Sequence, residues 1–259
     1  GDYKLGLWIR DDTQGIGTMT YVCANGAFGA LGHGISDGDT GLLVQTSGGE
    51  LYDTEILGVE KGSFGKPGVM SGVIYYGNQS RLGSVEANTD QGIFGTANPR
   101  FLSRVKNPAI PIGYRQDAKK GRACIRSSVS GELKDYEIEI QKIDHSSNRH
   151  NKDMVIRVTD PELLSLTGGI VQGMSGSPII QNGKLIGAVT HVFIRIRREG
   201  MGFWWRICWD IESGCKVTVY KWEFSGLKIP YDTVLAADFA DFEYAASAKS
   251  CCWAHVCEQ

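Results

Sequence analysis

Gly168-Gly169-Ile170-Val171-Gln172-Gly173-Met174-Ser175-Gly176-Ser177-Pro178-Ile179-Ile180 sets a serine among glycines and closes the turn with a proline, and Asn182-Gly183-Lys184-Leu185-Ile186-Gly187-Ala188-Val189 follows directly. Glycine on both sides lets the chain turn tightly, so the Ser175 hydroxyl is presented while backbone N–H groups converge. The N–H groups of Gly173 and Ser175 are then placed to bind the oxyanion of a tetrahedral intermediate. A β run follows Pro178, which does not suit the strand-to-helix elbow that carries the serine of esterases. The strand ending in Gly187-Ala188-Val189-Thr190-His191 is expected to form one wall of a substrate cleft. An ordinary Gly-Ser-Pro turn between two strands is the other reading of Gly173 to Pro178.

Outward from this turn, residues 1–194 are rich in glycine and carry short apolar or alternating runs broken by turn residues, the pattern of a β-barrel or sandwich. Runs such as Gly15 to Cys23, Thr40 to Thr46, Leu51 to Val59, Gly68 to Tyr76, Tyr136 to Ile143, Asp153 to Val158, Gly168 to Gln172 and Leu185 to Val192 read as strands. Gly48-Gly49, Gly77-Asn78 and Asn182-Gly183 read as turns. Asn98-Pro99 and Asn107-Pro108-Ala109-Ile110-Pro111 remove backbone donors that a central strand needs. The segment from about Ala97 to Pro111 therefore reads as a linker between two β halves, 1–97 and 98–194. The polar run from 144 to 152 reads as a solvated loop.

A serine hydroxyl needs a neighbouring base to take its proton. Of the five histidines, His33 in Gly29-Ala30-Leu31-Gly32-His33-Gly34-Ile35-Ser36-Asp37 has small neighbours that leave an imidazole accessible at a strand end. His191 is the competitor and reads as a strand or cleft residue. Ser177 is the serine next in line to Ser175. The chain is thus expected to be an all-β serine endopeptidase.

Charge excludes some alternatives. With 27 basic and 29 acidic residues and a pI near 6.2, the chain has no electrostatic footprint for nucleic acid or for an anionic membrane surface. No stretch approaches the roughly 18 apolar residues of a membrane span. The chain opens at Gly1, already patterned as a strand, and reads as a fragment whose upstream portion is missing. Only Cys23 and Cys124 lie in the body, which argues against a disulfide framework. The tail cysteines Cys208, Cys215, Cys251, Cys252 and Cys257, with His255, fit no ordinary zinc spacing. Neither a metal nor a cofactor is expected.

Three blocks, Asp11-Asp12-Thr13-Gln14-Gly15-Ile16-Gly17-Thr18, Ala30 to Asp37 and Gly168 to Pro178, together resemble the peptidase domain of stage IV sporulation protein B. The resemblance runs from about residue 3 to residue 194. It implies a two-barrel, chymotrypsin-like fold and a sporulation-specific peptidase. Such an enzyme acts between the membranes of forespore and mother cell on a membrane-anchored regulator of an intramembrane protease. Members of that family also carry an N-terminal membrane anchor and a PDZ domain, neither of which is found in these residues. In two-barrel proteases the orienting Asp follows the histidine by roughly forty residues or more, yet Val59 to Tyr76 contains none. The resemblance points instead to Asp160, in Val158-Thr159-Asp160-Pro161-Glu162, as third member with His33 and Ser175. A structural Asp-Pro turn, Asp37 or Asp53 in that role, and a Ser-His dyad are the alternatives.

Beyond Ile194 the pattern changes: five of six tryptophans and five of seven cysteines fall in residues 195–259. The family resemblance implies a strand reading approximately Tyr-Gly-x-x-Val-Glu-Asn-Met-Leu. Back-translation of Gly200 to Trp209 from the third base of its first codon permits those letters. The expectation is that a frameshift near Ile194 has replaced the C-terminal strand, leaving a gap in the second barrel and Trp204, Trp205 and Trp209 without a packed place. An inactive, peptide-binding scaffold is the alternative function on that ground.

Overall fold

A computed structural model describes residues 12–46, 48–63, 66–144, 153–192, 199–203, 216–217 and 223–230. Six strands of the first half come in order: β1 (Asp12–Val22), β2 (Ala27–Ala30), β3 (Gly49–Glu60), β4 (Val69–Tyr75), β5 (Arg81–Thr89) and β6 (Gly92–Ala97). A short helix α1 (Pro99–Arg104) and β7 (Ile110–Pro111) occupy the proline-rich connection, with the Asn98 side chain accepting from Phe101 N as the helix cap. Then come β8 (Gly121–Ser127), β9 (Lys134–Ile143), β10 (Met154–Val158), helix α2 (Pro161–Thr167), β11 (Pro178–Gln181) and β12 (Lys184–Val192). The C-terminal region adds β13 (Glu199–Phe203), β14 (Lys216–Val217) and β15 (Glu223–Pro230).

These strands make two curled β units, a chymotrypsin-like pair. In the first, β15-β1-β2-β6-β5-β3-β4 form one sheet, and a further pairing of β15 with β3 curls it shut through Lys228 and Glu50. In the second, β10-β13-β12-β11-β8-β9 close into a barrel. Alternation builds each interior. Along β9, Tyr136, Ile138 and Ile140 are buried while Asp135, Glu137 and Glu139 are exposed. Asn182 and Gly183, both with positive φ, make the two-residue hairpin between β11 and β12.

Each unit has its own core. One gathers Met19, Phe28, Leu51, Leu82, Ile93 and Phe101; the other gathers Ile125, Tyr136, Ile156, Leu163, Met174 and Ile179. A third cluster, with Tyr21, Cys23, Ile180 and Leu185, joins β1 to β11 and β12 and so fastens the units together.

Several expectations need correction. Thr40 to Thr46 is not a strand; it contributes only an isolated bridge from Leu43 to Ser36. Gly168 to Gln172 is likewise irregular apart from a bridge from Gln172 to Val69. Strands β2, β5 and β6 went unread because glycine, alanine and serine dilute their hydrophobic alternation. The expected gap in the second barrel is not there: β13 pairs with β10 and β12, from Met154↔Gly202 to Ala188↔Phe203, and closes it. Strand pairing uses backbone groups that every residue but proline supplies, so an atypical sequence does not forbid it. Residues 145–152, Trp204, Trp205, Trp209, the five tail cysteines and His255 lie outside the described residues.

Candidate active site

The histidine arrives on a turn after β2. Leu31 and Gly32 both take left-handed φ, 70° and 75°, and this reversal carries His33 into the interior. A left-handed Leu is uncommon and costs free energy that its surroundings must offset. Here its side chain is buried and its N–H donates to Thr18 O at 3.1 Å. His33 Nδ1 lies 2.9 Å from Gly34 O. A carbonyl only accepts, so Nδ1 carries the proton and Nε2 is left as the basic nitrogen.

The serine arrives on the turn between α2 and β11. All four carbonyls from Gly173 to Gly176 are held: Gly173 O by Thr18 Oγ1 at 2.9 Å, Met174 O by Ser177 N at 2.9 Å, Ser175 O by Thr18 N at 3.0 Å and Gly176 O by Thr20 Oγ1 at 2.5 Å. Three of these bonds come from β1 of the other unit, so the turn is built from both halves. Gly176 has φ +94°, and a Cβ there would stand 2.0 Å from Thr18 O, so glycine is required. The N–H groups of Met174, Gly176 and Ser177 donate to Val171, Val189 and Met174 carbonyls. Among the described residues those of Gly173 and Ser175 donate to none. Two N–H groups of one turn, left over while every neighbouring carbonyl is bound, are suited to an oxyanion.

The structure brings the two turns together. A Cβ on Gly176 would meet Leu31 N at 2.6 Å, and one on Gly32 would meet Thr190 Cγ2 at 3.0 Å. Ser175, His33, Thr190 and His191 are all buried. The Ser175 hydroxyl donates to Thr190 O at 3.1 Å and not to His33 Nε2; catalytic hydrogen bonds commonly tighten only when substrate binds. His191, the competitor, lies on β12 with its ring centroid 5.8 Å from that of His33 and Nδ1 2.8 Å from Thr190 Oγ1. Thr190, which sequence reasoning passed over, supplies the acceptor for the Ser175 hydroxyl.

Among the described residues no hydrogen bond or ion pair joins Asp160 to His33. Its Oδ1 accepts from Leu163 N at 2.9 Å as the N-cap of α2, and Oδ2 accepts from Glu137 N at 3.3 Å. Pro161 in the first helical turn and Gly168 at the left-handed C-cap complete a short capped helix. Asp53 is bound to Arg104 Nη1 at 2.9 Å and to Thr54 N, and Asp37 holds the Asp39 and Thr40 N–H groups of its own turn. Ser177 is fully buried, and its hydroxyl has no hydrogen-bond partner among the described residues. Cys124, half-buried on β8, has its thiol pushed up to about 11 by burial and the nearby Asp135 carboxylate. Among the described residues no three His, Cys, Asp or Glu side chains are grouped to hold a metal ion, and no helix is long and apolar enough to cross a membrane.

No curated protein matches the chain. Among solved structures, Rv3671c from M. tuberculosis, as a serine-to-alanine mutant in an inactive form, is similar with TM-score 0.34 and 15% identity, over 61% of this chain and 80% of that one. The HtrA-type protease AlgW with a decapeptide is similar with TM-score 0.29 and 15% identity, over 72% and 61%. The profile described as SpoIVB peptidase S55 matches residues 1–207. The chain belongs to the SpoIVB peptidase family and is a serine peptidase, a hydrolase of protein substrates.

Proposed function

We propose that Ser175 is the nucleophile, His33 its general base, and the N–H groups of Gly173 and Ser175 the oxyanion donors of an endopeptidase. It cleaves a membrane-anchored regulator of an intramembrane protease in sporulation signalling. The observation that carries the catalytic part is the division of hydrogen bonds in the serine turn: four bound carbonyls and two uncommitted N–H groups beside a histidine whose Nδ1 proton is fixed. In the reaction, His33 Nε2 takes the hydroxyl proton as Ser175 Oγ attacks the scissile carbonyl, and the oxygen that gains charge settles against the two N–H groups. His33 then gives the proton to the leaving amine. Gly34 O does for the imidazole what an orienting carboxylate does in a triad: it selects the tautomer.

Membership of the family supports this substrate and, as the place of action, the space between forespore and mother-cell membranes. An upstream anchor and PDZ domain in the full-length protein would hold the enzyme there. Incubating the purified chain, and separately its Ser175→Ala variant, with detergent-solubilised membranes of sporulating cells tests this by new-N-terminus profiling. Serine-dependent cuts in the extracytoplasmic part of a membrane-anchored protein are expected; cuts confined to soluble proteins would refute the substrate assignment.

A further inference from the structure

The peptide that carries the Gly173 N–H also carries Gln172 C=O, and in a trans peptide the two point in opposite directions. Gln172 O accepts from Met70 N at 2.9 Å, and Gln172 N donates to Gly68 O at 2.8 Å, so residues 68–70 run alongside Gln172 as a parallel bridge. Whatever holds Gln172 O therefore aims the Gly173 N–H. Met70 is the second residue of β4, the outer strand of the first unit, yet its fully buried side chain lies in the core of the second with Val171 and Met174. It reaches under the serine turn, because a Cβ on Gly173 would stand 2.6 Å from Met70 Cε. Gly68 makes the approach possible: a Cβ there would meet Glu60 O and Gly62 N at 2.6 Å and Val171 Cγ1 at 2.7 Å.

We infer that Gly68–Met70 is a positioning element for the oxyanion donor, its backbone fixing the 172–173 peptide plane and the Met70 side chain wedging the turn from below. This rests on the assignment of the Gly173 N–H as a donor. The Ser175 N–H is aimed by its own turn through Ser177 N and Met174 O, whereas the Gly173 N–H depends on a strand from the other unit. Docking of the β3–β4 hairpin and assembly of the oxyanion site are thus one event.

Met70→Ala, Met70→Leu and Met154→Ala test it with a peptide substrate, at a temperature where thermal denaturation shows each variant folded. Met154 is equally buried in the same core but sits on β10, so it controls for a cavity alone. Removing one oxyanion donor costs about 100- to 1,000-fold in kcat. Met70→Ala, which loosens the donor without deleting it, is expected to lower kcat about 10- to 100-fold with KM little changed. Met70→Leu should restore most of the rate, and Met154→Ala should lose stability but not kcat. If Met70→Ala does not fold, Met70→Val takes its place under the same criteria. Equal kcat for the Met70 and Met154 variants would overturn the inference. Ser175→Ala in the same assay separates the two failures, because a Ser175→Ala enzyme that still turns over refutes the underlying site assignment instead.

Discussion

Between β10 and β11 the chain makes two turns, at Asp160–Thr167 and at Gly173–Pro178, and they divide their hydrogen-bonding capacity in opposite ways. At Asp160 each carboxylate oxygen accepts a backbone N–H, one from Leu163 and one from Glu137, so the turn satisfies donors and leads into a capped helix. At Gly173 to Gly176 every carbonyl is spoken for, partly by threonines of the other unit, and two N–H groups are left over. The first arrangement holds structure. The second leaves donors suited to an anion. Asp160, fifteen positions before Ser175, is thus tied to its own helix and to β9.

The comparison breaks or sharpens under substitution. Ser175→Ala and His33→Ala should each lower kcat by about four to six orders of magnitude, without adding when combined, because the two act as one unit. Asp160 should behave differently. An orienting Asp changed to Asn costs about four orders of magnitude, but Asn caps a helix about as well as Asp. Asp160→Asn is therefore expected to leave kcat within about threefold, read in the same peptide assay. Asp160→Ala should lower unfolding free energy by about 1 kcal/mol, measured by denaturant titration, with kcat per folded molecule unchanged. Ser177→Ala removes a buried hydroxyl without a partner among the described residues, so stability should stay level or rise by up to about 1 kcal/mol with activity retained. The smallest effect belongs to Cys124. A thiol pushed up to about 11 is almost entirely protonated at pH 8, so iodoacetamide at that pH should leave both activity and Cys124 untouched, by mass spectrometry. Alkylation there with loss of activity would make the thiol a rival nucleophile.

The serine turn was legible because its chemistry is local: glycine at 173 and 176 and proline at 178 dictate a turn whatever surrounds them. His33 was legible for a similar reason, its left-handed approach through Gly32 being written in the small residues beside it. The Asp160 turn carried a cap signature, Asp followed by Pro and Glu, beside the triad reading suggested by resemblance, and the bonds from Leu163 N and Glu137 N show the cap. What could not be read is long-range. The threonine hydroxyls of β1 reach across more than 150 residues to the serine turn, Met70 enters the other unit's core, and β13 and β15 close sheets that begin far upstream. Backbone pairing of that kind leaves little trace in hydrophobic alternation. A tail rich in tryptophan and cysteine still supplies strands to both units.

The central claim is that Ser175 and His33 form the reacting pair without help from Asp160, and fluorophosphonate labelling with peptide mapping tests it most directly. The wild-type chain and Asp160→Asn should both be labelled at Ser175 at similar rates, while His33→Ala should label at least about a thousandfold more slowly. Labelling at Ser177, or loss of Ser175 labelling in Asp160→Asn, would contradict it.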